Sequence, residues 1–472
     1  MSSEQRNILW VAILASFVAF LDGSIVNVAL PAISRDLGGG LATQQWVLDS
    51  YLLTLGSLIL VAGSLSDNLG RVRVLRAGLA LFGLASIACA LASTDELLIL
   101  ARFIQGVGAA LLVPSSLALI TSGFSGPARA KAIGAWTAWT GLAFVVGPLL
   151  GGVLVDTVSW RVIFAINVIP ITVTLILLTR LQVVPRPASR VPIDVVGAIL
   201  AALGLAGPVF ALIEGERLGW GEPIVLVPLV VGVICLGLFL WREATTPHPM
   251  LPLGLFRTRN FAVGNIATVG IYAALSLGLL IVTLFLQEVA GFSAIQAGLA
   301  ILPLALSSLA FATLFGGLAG KHGPRLFMAV GPLVAGSGFL WMLSAEDPIN
   351  FWLQLFPGIL LFSFGLSMTV APLTAAVLGS IRTAQSGIGS AVNNAVSRVA
   401  GLIAIALTGT IVGSTLDVDA FHRVALVTAL LFFAGGIASA IGIRNEQLST
   451  APIPPEASAF CRDRILPAGT TS

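Results

Sequence analysis

Residues 63–72, GSLSDNLGRV, and residues 316–325, GGLAGKHGPR, align without a gap, so that Gly63, Leu65 and Gly70 fall on Gly316, Leu318 and Gly323. Each stretch follows an apolar run and ends in a short basic loop. A second pair, GVGAALLVPSS from Gly106 and FGLSMTVAPLT from Phe364, sets Gly108 near Gly365 and Pro114 near Pro372. The offsets are 253 and 258 residues. Each carries the pattern forward by eight apolar runs. Two six-helix halves with an additional pair of helices between them produce this shift.

The rest of the chain fits that frame. Of its 472 residues, 57% are hydrophobic and 10% charged, and the mean hydropathy is +1.02. Soluble domains carry about 25% charged residues, so the lipid bilayer is the solvent. A hydrocarbon core of about 30 Å needs about 20 apolar residues as a helix. Dividing the chain at charges and turn residues gives fourteen such spans: 7–33, 43–65, 74–92, 96–121, 131–155, 161–180, 194–213, 223–241, 261–287, 295–319, 325–345, 350–378, 386–412 and 423–443. The start resembles a secretion signal, but no small-residue cleavage site precedes Asp22, and we read a retained first helix. The predicted fold is an all-α polytopic membrane protein. Residues 1–192 form a first six-helix half, 193–260 two inserted helices and a linker, 261–443 a second six-helix half, and 444–472 a disordered tail rich in Pro and Ser. Parallel halves of this kind enclose a site near the midplane in secondary transporters.

With the N-terminus cytoplasmic, 18 of the 24 Lys and Arg residues fall on the cytoplasmic side and 4 on the other, while Arg102 and Arg398 lie inside spans. This asymmetry puts both termini in the cytoplasm. Arg outnumbers Lys 22 to 2, which suggests a GC-rich bacterial source and a multi-pass protein of the plasma membrane.

At these residues the chain resembles the major facilitator superfamily, and within it the fourteen-helix drug:proton antiporters. GSLSDNLGRVRVL (63–75) resembles the superfamily's loop between helices 2 and 3, and LDGSIVNVALPAI (21–33) the helix 1 motif of the drug antiporters. ARFIQGVGAA (101–110) is similar to their helix 4 motif and GLAFVVGPLLGG (141–152) to their helix 5 antiporter motif. LIEGERLGW (212–220) and SAVNNAVSRVAG (390–401) resemble the fourteen-helix branch. The likeness covers the chain except its tail. It implies export of drugs or antibiotics by proton antiport through alternating access, in a protein expected to be monomeric. The runner-up is a dedicated exporter of one endogenous metabolite or antibiotic, and a non-transporting receptor on the same scaffold is a further alternative.

Several side chains are candidates for that work. In the loop motif, Gly63 and Gly70 permit close backbone approach and a turn with positive φ. Asp67 and Arg71 stand at a helix junction where a carboxylate can cap a helix or pair with a guanidinium. The resemblance implies that they latch a conformational gate, whereas the plainer reading is topological charge. Gly320 takes the place of Asp67 in the second half. In helix 5, Gly141, Gly147, Gly151 and Gly152 surround Pro148; small residues let helices approach closely and proline bends the axis. The resemblance associates this motif with antiport.

Asp22, Asp49 and Arg102 are charged groups inside spans, where a central charge costs about 2.5–3.5 kcal/mol even on a lenient scale. Counting along helices from their outer ends sets Arg102 and Asp49 at ~10 Å depth and Asp22 at ~20 Å. Asp49 therefore matches Arg102 in depth. Asp22, without a partner in the nearby sequence, lies closer to a central cavity. Burial makes a carboxyl hold its proton and a neighbouring cation loosens it. A group under both influences can bind a proton or a cationic ligand in turn. We expect proton coupling at Asp22, Arg102 and Asp49. The expected substrate cavity comprises Asp22, Asn27, Gln105, Trp139, Asn393, Asn394 and Arg398. The structural alternative is that Asp22 is a buried polar group satisfied by Asn27 or another helix, and that Trp139 and the two asparagines merely pack helices.

Other functions fit poorly. The chain has no GxxxxGK[ST] phosphate loop. His248, His322 and His422 form no HExxH, and Cys89, Cys235 and Cys461 no CxxC. No enzyme activity, metal, cofactor or nucleic-acid partner is expected. The expected partners are protons and a small molecule of cationic or amphipathic character.

Overall fold

In the computed structural model of the chain, the described residues are 1–181, 194–247, 249–382, 385–413 and 415–445, with the side chains of residues 67, 127, 130 and 386 also outside the description. The linker arginines 186 and 190, His248, Cys461 and the tail from 446 therefore lie outside it. Fourteen stretches are long and apolar enough to cross a bilayer. The first half comprises α1 (Ser3–Leu37), α2 (Gly40–Leu69), α3 (Arg71–Ala90), α4 (Asp95–Gly123), α5 (Gly126–Thr157), and a sixth span broken into α6 (Val162–Ala165) and α7 (Val168–Thr179). α8 (Val195–Leu218) and α9 (Pro223–Thr245) follow. The second half comprises α10 (Arg259–Leu284), α11 (Ala294–His322), α12 (Arg325–Trp341), α13 (Phe356–Gly379), a span divided into α14 (Ser386–Ala406) and α15 (Thr408–Val412), and α16 (Val418–Gly442).

The helix ends follow local chemistry. Ser2 and Gln5 form a capping box at α1, and Ser293 and Gln296 another at α11. These reciprocal bonds satisfy amide groups that the first helical turn leaves without partners. Thr94, Asp194 and Asp417 cap α4, α8 and α16. Between α2 and α3, Gly70 takes φ +95°, the conformation the loop motif requires of a glycine.

Within the first half α1 packs on α5, and α4 on α2 and α3; within the second, α10 and α12 pack on α16, and α11 and α12 on α13. The halves meet along two seams, α2 against α14 and α5 against α11. The inserted helices pack tightly on each other, Gly207 against Pro228 and Gly232 against Pro208. α8 flanks the first seam, touching α2, α14 and α15. There Trp46 Nε1 donates to Glu214 at 2.8 Å, and Arg217 pairs with the same carboxylate at 2.6 Å.

Calling the face that carries the N-terminus the near face, every described hydrogen bond between the halves lies toward the far face. Gln45 Nε2 donates to the carbonyls of Ile405 and Ala406 at 2.7 and 2.9 Å. Gln44 donates to Glu288 at 2.7 Å and Gln287 to the Val28 carbonyl at 3.1 Å. Asp156, at the far end of α5, accepts from the amides of Ala294 and Ile295 at 3.2 and 2.8 Å. A carboxylate at a helix N-terminus is favoured by both the free amides and the helix dipole. Toward the near face α5 and α11 part, and a Cβ built on Gly134, Gly141, Gly317 or Gly320 meets nothing within 4 Å. Among the described residues, the hydrogen bonds that join the halves gather at the far face.

Gly152 is a tight point of the second seam, since a Cβ there would stand 2.6 Å from the Ala294 carbonyl oxygen and 2.7 Å from Ile295 Cα. Gly152→Leu should therefore hold the far face apart. Spin labels at Arg35 and Leu299 should report a longer distance in this variant than in the parent, while Gly141→Leu leaves it unchanged. Equal distances in all three proteins would show that the glycine contact does not control closure.

Candidate functional site

The spacing of α4 sets Arg102 and Gln105 one turn apart on the same face. That face meets α1 at Asp22, and all three side chains are 0% exposed. Asp22 Oδ2 accepts from Arg102 Nη1 at 2.5 Å. Its Oδ1 accepts from Gln105 Nε2 at 2.9 Å and from Asn167 Nδ2 at 3.0 Å. Gln105 also accepts from Arg102 Nη1 at 2.6 Å and donates to Ser86 Oγ of α3 at 2.9 Å. Arg102 Nε donates to the Val47 carbonyl of α2 at 2.9 Å, and the guanidinium lies 4.3 Å from the centre of the Tyr51 ring. Asn167 arrives from the break between α6 and α7. The network thus draws on every span of the first half except α5.

This corrects the expectation for Asp22. Its partner is Arg102, and it stands inside the first half rather than on an open cavity. Gln105 is enclosed with it. The depth argument misled because it measured each helix from its own end. α1 continues fifteen residues past Asp22 to Leu37, whereas α4 begins seven residues before Arg102. The ends do not lie at one height. The network also includes Asn167, Ser86 and Tyr51, which sequence reasoning passed over. Asn167 left a signal as the one amide side chain within 162–179.

Asp49 has a different environment. It too is 0% exposed, yet neither carboxyl oxygen has a hydrogen-bond partner. It stands one turn from Gln45, which bonds α14, and two turns from Gly56, where a Cβ would touch Arg398 Cβ at 3.5 Å. Asp49 therefore belongs to the α2 stripe that meets α14, on the seam between the halves.

The remaining candidates divide. Asn27 is half-buried and donates to its own helix at Gly23 O, 3.2 Å. Trp139 is 42% exposed and meets Trp10 edge-on, with ring centres 5.6 Å apart. Asn393 ties α14 to α10, donating to Asn265 Oδ1 at 3.1 Å and Thr268 Oγ1 at 2.8 Å. Asn394 and Arg398 are half-buried on α14. In the loop motif, Arg71 Nη1 donates to the Ala118 carbonyl at 2.9 Å, joining α3 to the near end of α4. The close approach expected at Gly63 is not made here, because a Cβ there meets nothing within 4 Å. The Asp67 side chain is outside the description. In the helix 5 motif, Gly147 and Gly151 admit α1, with Ser24 and Ile25 where their side chains would be, while Gly152 and the Pro148 carbonyl admit α11 at Ala294 and Gly298. Gly141 contacts neither.

The buried pair yields a stability prediction. Removing one partner of a buried ion pair costs about 3–5 kcal/mol because the other charge is left stranded. Arg102→Gln should therefore lower the melting temperature of the purified protein markedly. The double variant Asp22→Asn/Arg102→Gln, which strands no charge, should recover most of the loss. Additive losses in the double variant would refute the pairing.

Comparison with known proteins agrees with this geometry. The family model described as "Major Facilitator Superfamily" matches residues 12–405. The chain is 34% identical over 417 residues to "Methylenomycin A resistance protein" of Bacillus subtilis (strain 168), covering 87% of this chain and 88% of the relative. It is 33% identical over 406 residues to "Multidrug resistance protein Stp" of Mycobacterium tuberculosis (strain CDC 1551 / Oshkosh), covering 86% and 75%. Among solved structures, the inward open conformation of the xylose transporter XylE from E. coli superposes with a TM-score of 0.66 at 14% identity, covering 94% of this chain and 98% of that one. With fourteen apolar spans in two halves and a family match over most of its length, the chain belongs to the major facilitator superfamily.

Proposed function

We propose that this protein exports small amphipathic molecules, drugs or antibiotics among them, in exchange for protons. Its two halves rock about a central site, opening it to one side of the membrane at a time. The near face is cytoplasmic on this reading, which the basic-residue asymmetry supports. The membrane is the bacterial plasma membrane and the working unit is a monomer. The relatives' names support the cargo class; the proton coupling rests on Asp49.

Asp49 carries the reading because its carboxyl is fully buried, with neither oxygen bonded, on a seam between moving halves. An ionised carboxylate held there without a donor would bear a desolvation cost of several kcal/mol. Taking up a proton relieves that cost. When the seam opens toward the far face, water reaches Asp49 and the proton exchanges. Proton occupancy is thereby tied to which face is open. Asp22 and Arg102 form the second element. Protonating Asp22 removes the charge that holds Arg102 and frees the guanidinium to move.

The expectation of a cationic substrate rested on a free Asp22 carboxylate. With Arg102, Gln105 and Asn167 on its two oxygens and no exposed surface, Asp22 is paired within the protein, so we assign amphipathic character without a required positive charge. Asp67 and Arg71 act as the near-face latch when that face closes.

Proteoliposomes with an imposed pH gradient and a panel of antibiotics test this reading. The parent protein should move at least one compound together with a pH change in the lumen. Asp49→Asn should lose the proton movement by tenfold or more, equivalent to about 1.4 kcal/mol, while still permitting downhill equilibration of the compound. Proton movement equal to that of the parent would remove Asp49 from the mechanism.

A further inference from the structure

Arg398 stands near the middle of α14, on the face that meets the first half. Its guanidinium lies 5.7 Å from the centre of the Phe20 ring of α1. Its Nε is buried without an acceptor. Among the described residues, Arg398 forms no hydrogen bond and no ion pair; its charge acts on the Phe20 ring and on the phenols of Tyr51 and Tyr272. Arginine does not give up its proton in proteins, so a fixed positive charge sits at membrane depth between the halves.

Neither nearby acid pairs with it. Asp22 is paired inside the first half with Arg102, Gln105 and Asn167. Asp49 lies two turns farther along the facing helix from Gly56 and is itself fully buried. The charge that Arg398 presents at this part of the interface is positive. Its surroundings are aromatic: Phe20 lies 5.8 Å from Phe144 of α5, whose side chain is 48% exposed. A guanidinium fork beside aromatic faces matches a carboxylate attached to an apolar body, with paired N–H···O bonds to the head and ring contacts to the rest.

We propose that the cargo of this protein carries a carboxylate, which Arg398 binds while Phe20 and Phe144 hold its apolar body. The proposal rests on the export reading for the word cargo. It has an energetic corollary: exchanging an outgoing anion for an incoming proton moves positive charge inward in both legs. An inside-negative membrane potential then drives the cycle in addition to the pH gradient.

The test is equilibrium binding to the purified full-length protein in detergent, followed by tryptophan fluorescence. The ligands are aromatic and aliphatic carboxylic acids of increasing apolar bulk, each paired with its methyl ester. In the parent protein, acids of sufficient bulk should bind at least about tenfold tighter than their esters. Arg398→Gln should lose that preference while binding the esters as the parent does, which shows that the site is intact. Arg398→Lys should keep part of it, since the ammonium supplies charge without the fork. The proposal is overturned if no acid binds the parent in preference to its ester, an outcome that needs no variant to fold. It is also overturned if Arg398→Gln keeps the preference, or if it loses acids and esters alike, which would assign Arg398 to helix packing. Binding requires no gradient. A preference for acids without proton-linked flux would therefore remove the export reading and leave Arg398 as an anion site.

Discussion

Inside a bilayer a charge must find a partner within the protein, and Arg102 finds Asp22. The contact draws the first half together. α4 supplies the guanidinium, α1 the carboxylate, α2 a carbonyl, α3 a hydroxyl and the broken sixth span an amide. Hydrogen bonds in so dry a place are strong when satisfied and costly when broken. The network therefore fixes the relative positions of these helices, and the first half can move as a unit. α5 stands outside it, attached to α1 through the small-residue surface at Gly147 and Gly151. That leaves its adjoining face, Pro148 and Gly152, to form the seam with α11.

The sequence made the scaffold legible because membrane spans are written in composition. Each of the fourteen runs corresponds to an observed crossing, with ends that extend by a few residues into caps such as Ser2 and Ser293. Gly70 was readable because a positive φ leaves a specific residue type. The glycines of α5 were readable as small residues, although their division between α1 and α11 needed coordinates. The site was less legible. Pairing depends on which face a side chain leaves its helix and on the height of that helix, and counting residues from a helix end gives neither. Hence Asp49 matched Arg102 on paper while Asp22 binds it in space. Gly63 shows a different limit. Its motif is read as a close contact, yet no neighbour stands within 4 Å of a Cβ placed there. A residue that works in one conformation is silent in the other.

Three ionisable side chains near the midplane thus have three different environments. Asp22 is an acid with a full set of donors, Asp49 an acid with none, and Arg398 a base with an aromatic ring for company. A saturated acid resists change until a proton replaces its cation, so it suits a structural pair that can be switched. An orphaned acid at a moving seam is tuned by exposure alone, since opening the seam changes its solvent and little else. An orphaned guanidinium cannot be tuned by protonation and is satisfied only by an arriving anion or by water. In the proposed mechanism the division of labour between proton and cargo follows from these environments, and both of the unpartnered groups stand along the α2–α14 seam. That seam is also where α8 packs, tied to α2 through Trp46 and Glu214. α8 thereby covers this seam from one side, and in the proposed mechanism that leaves the two faces as the routes by which water reaches it.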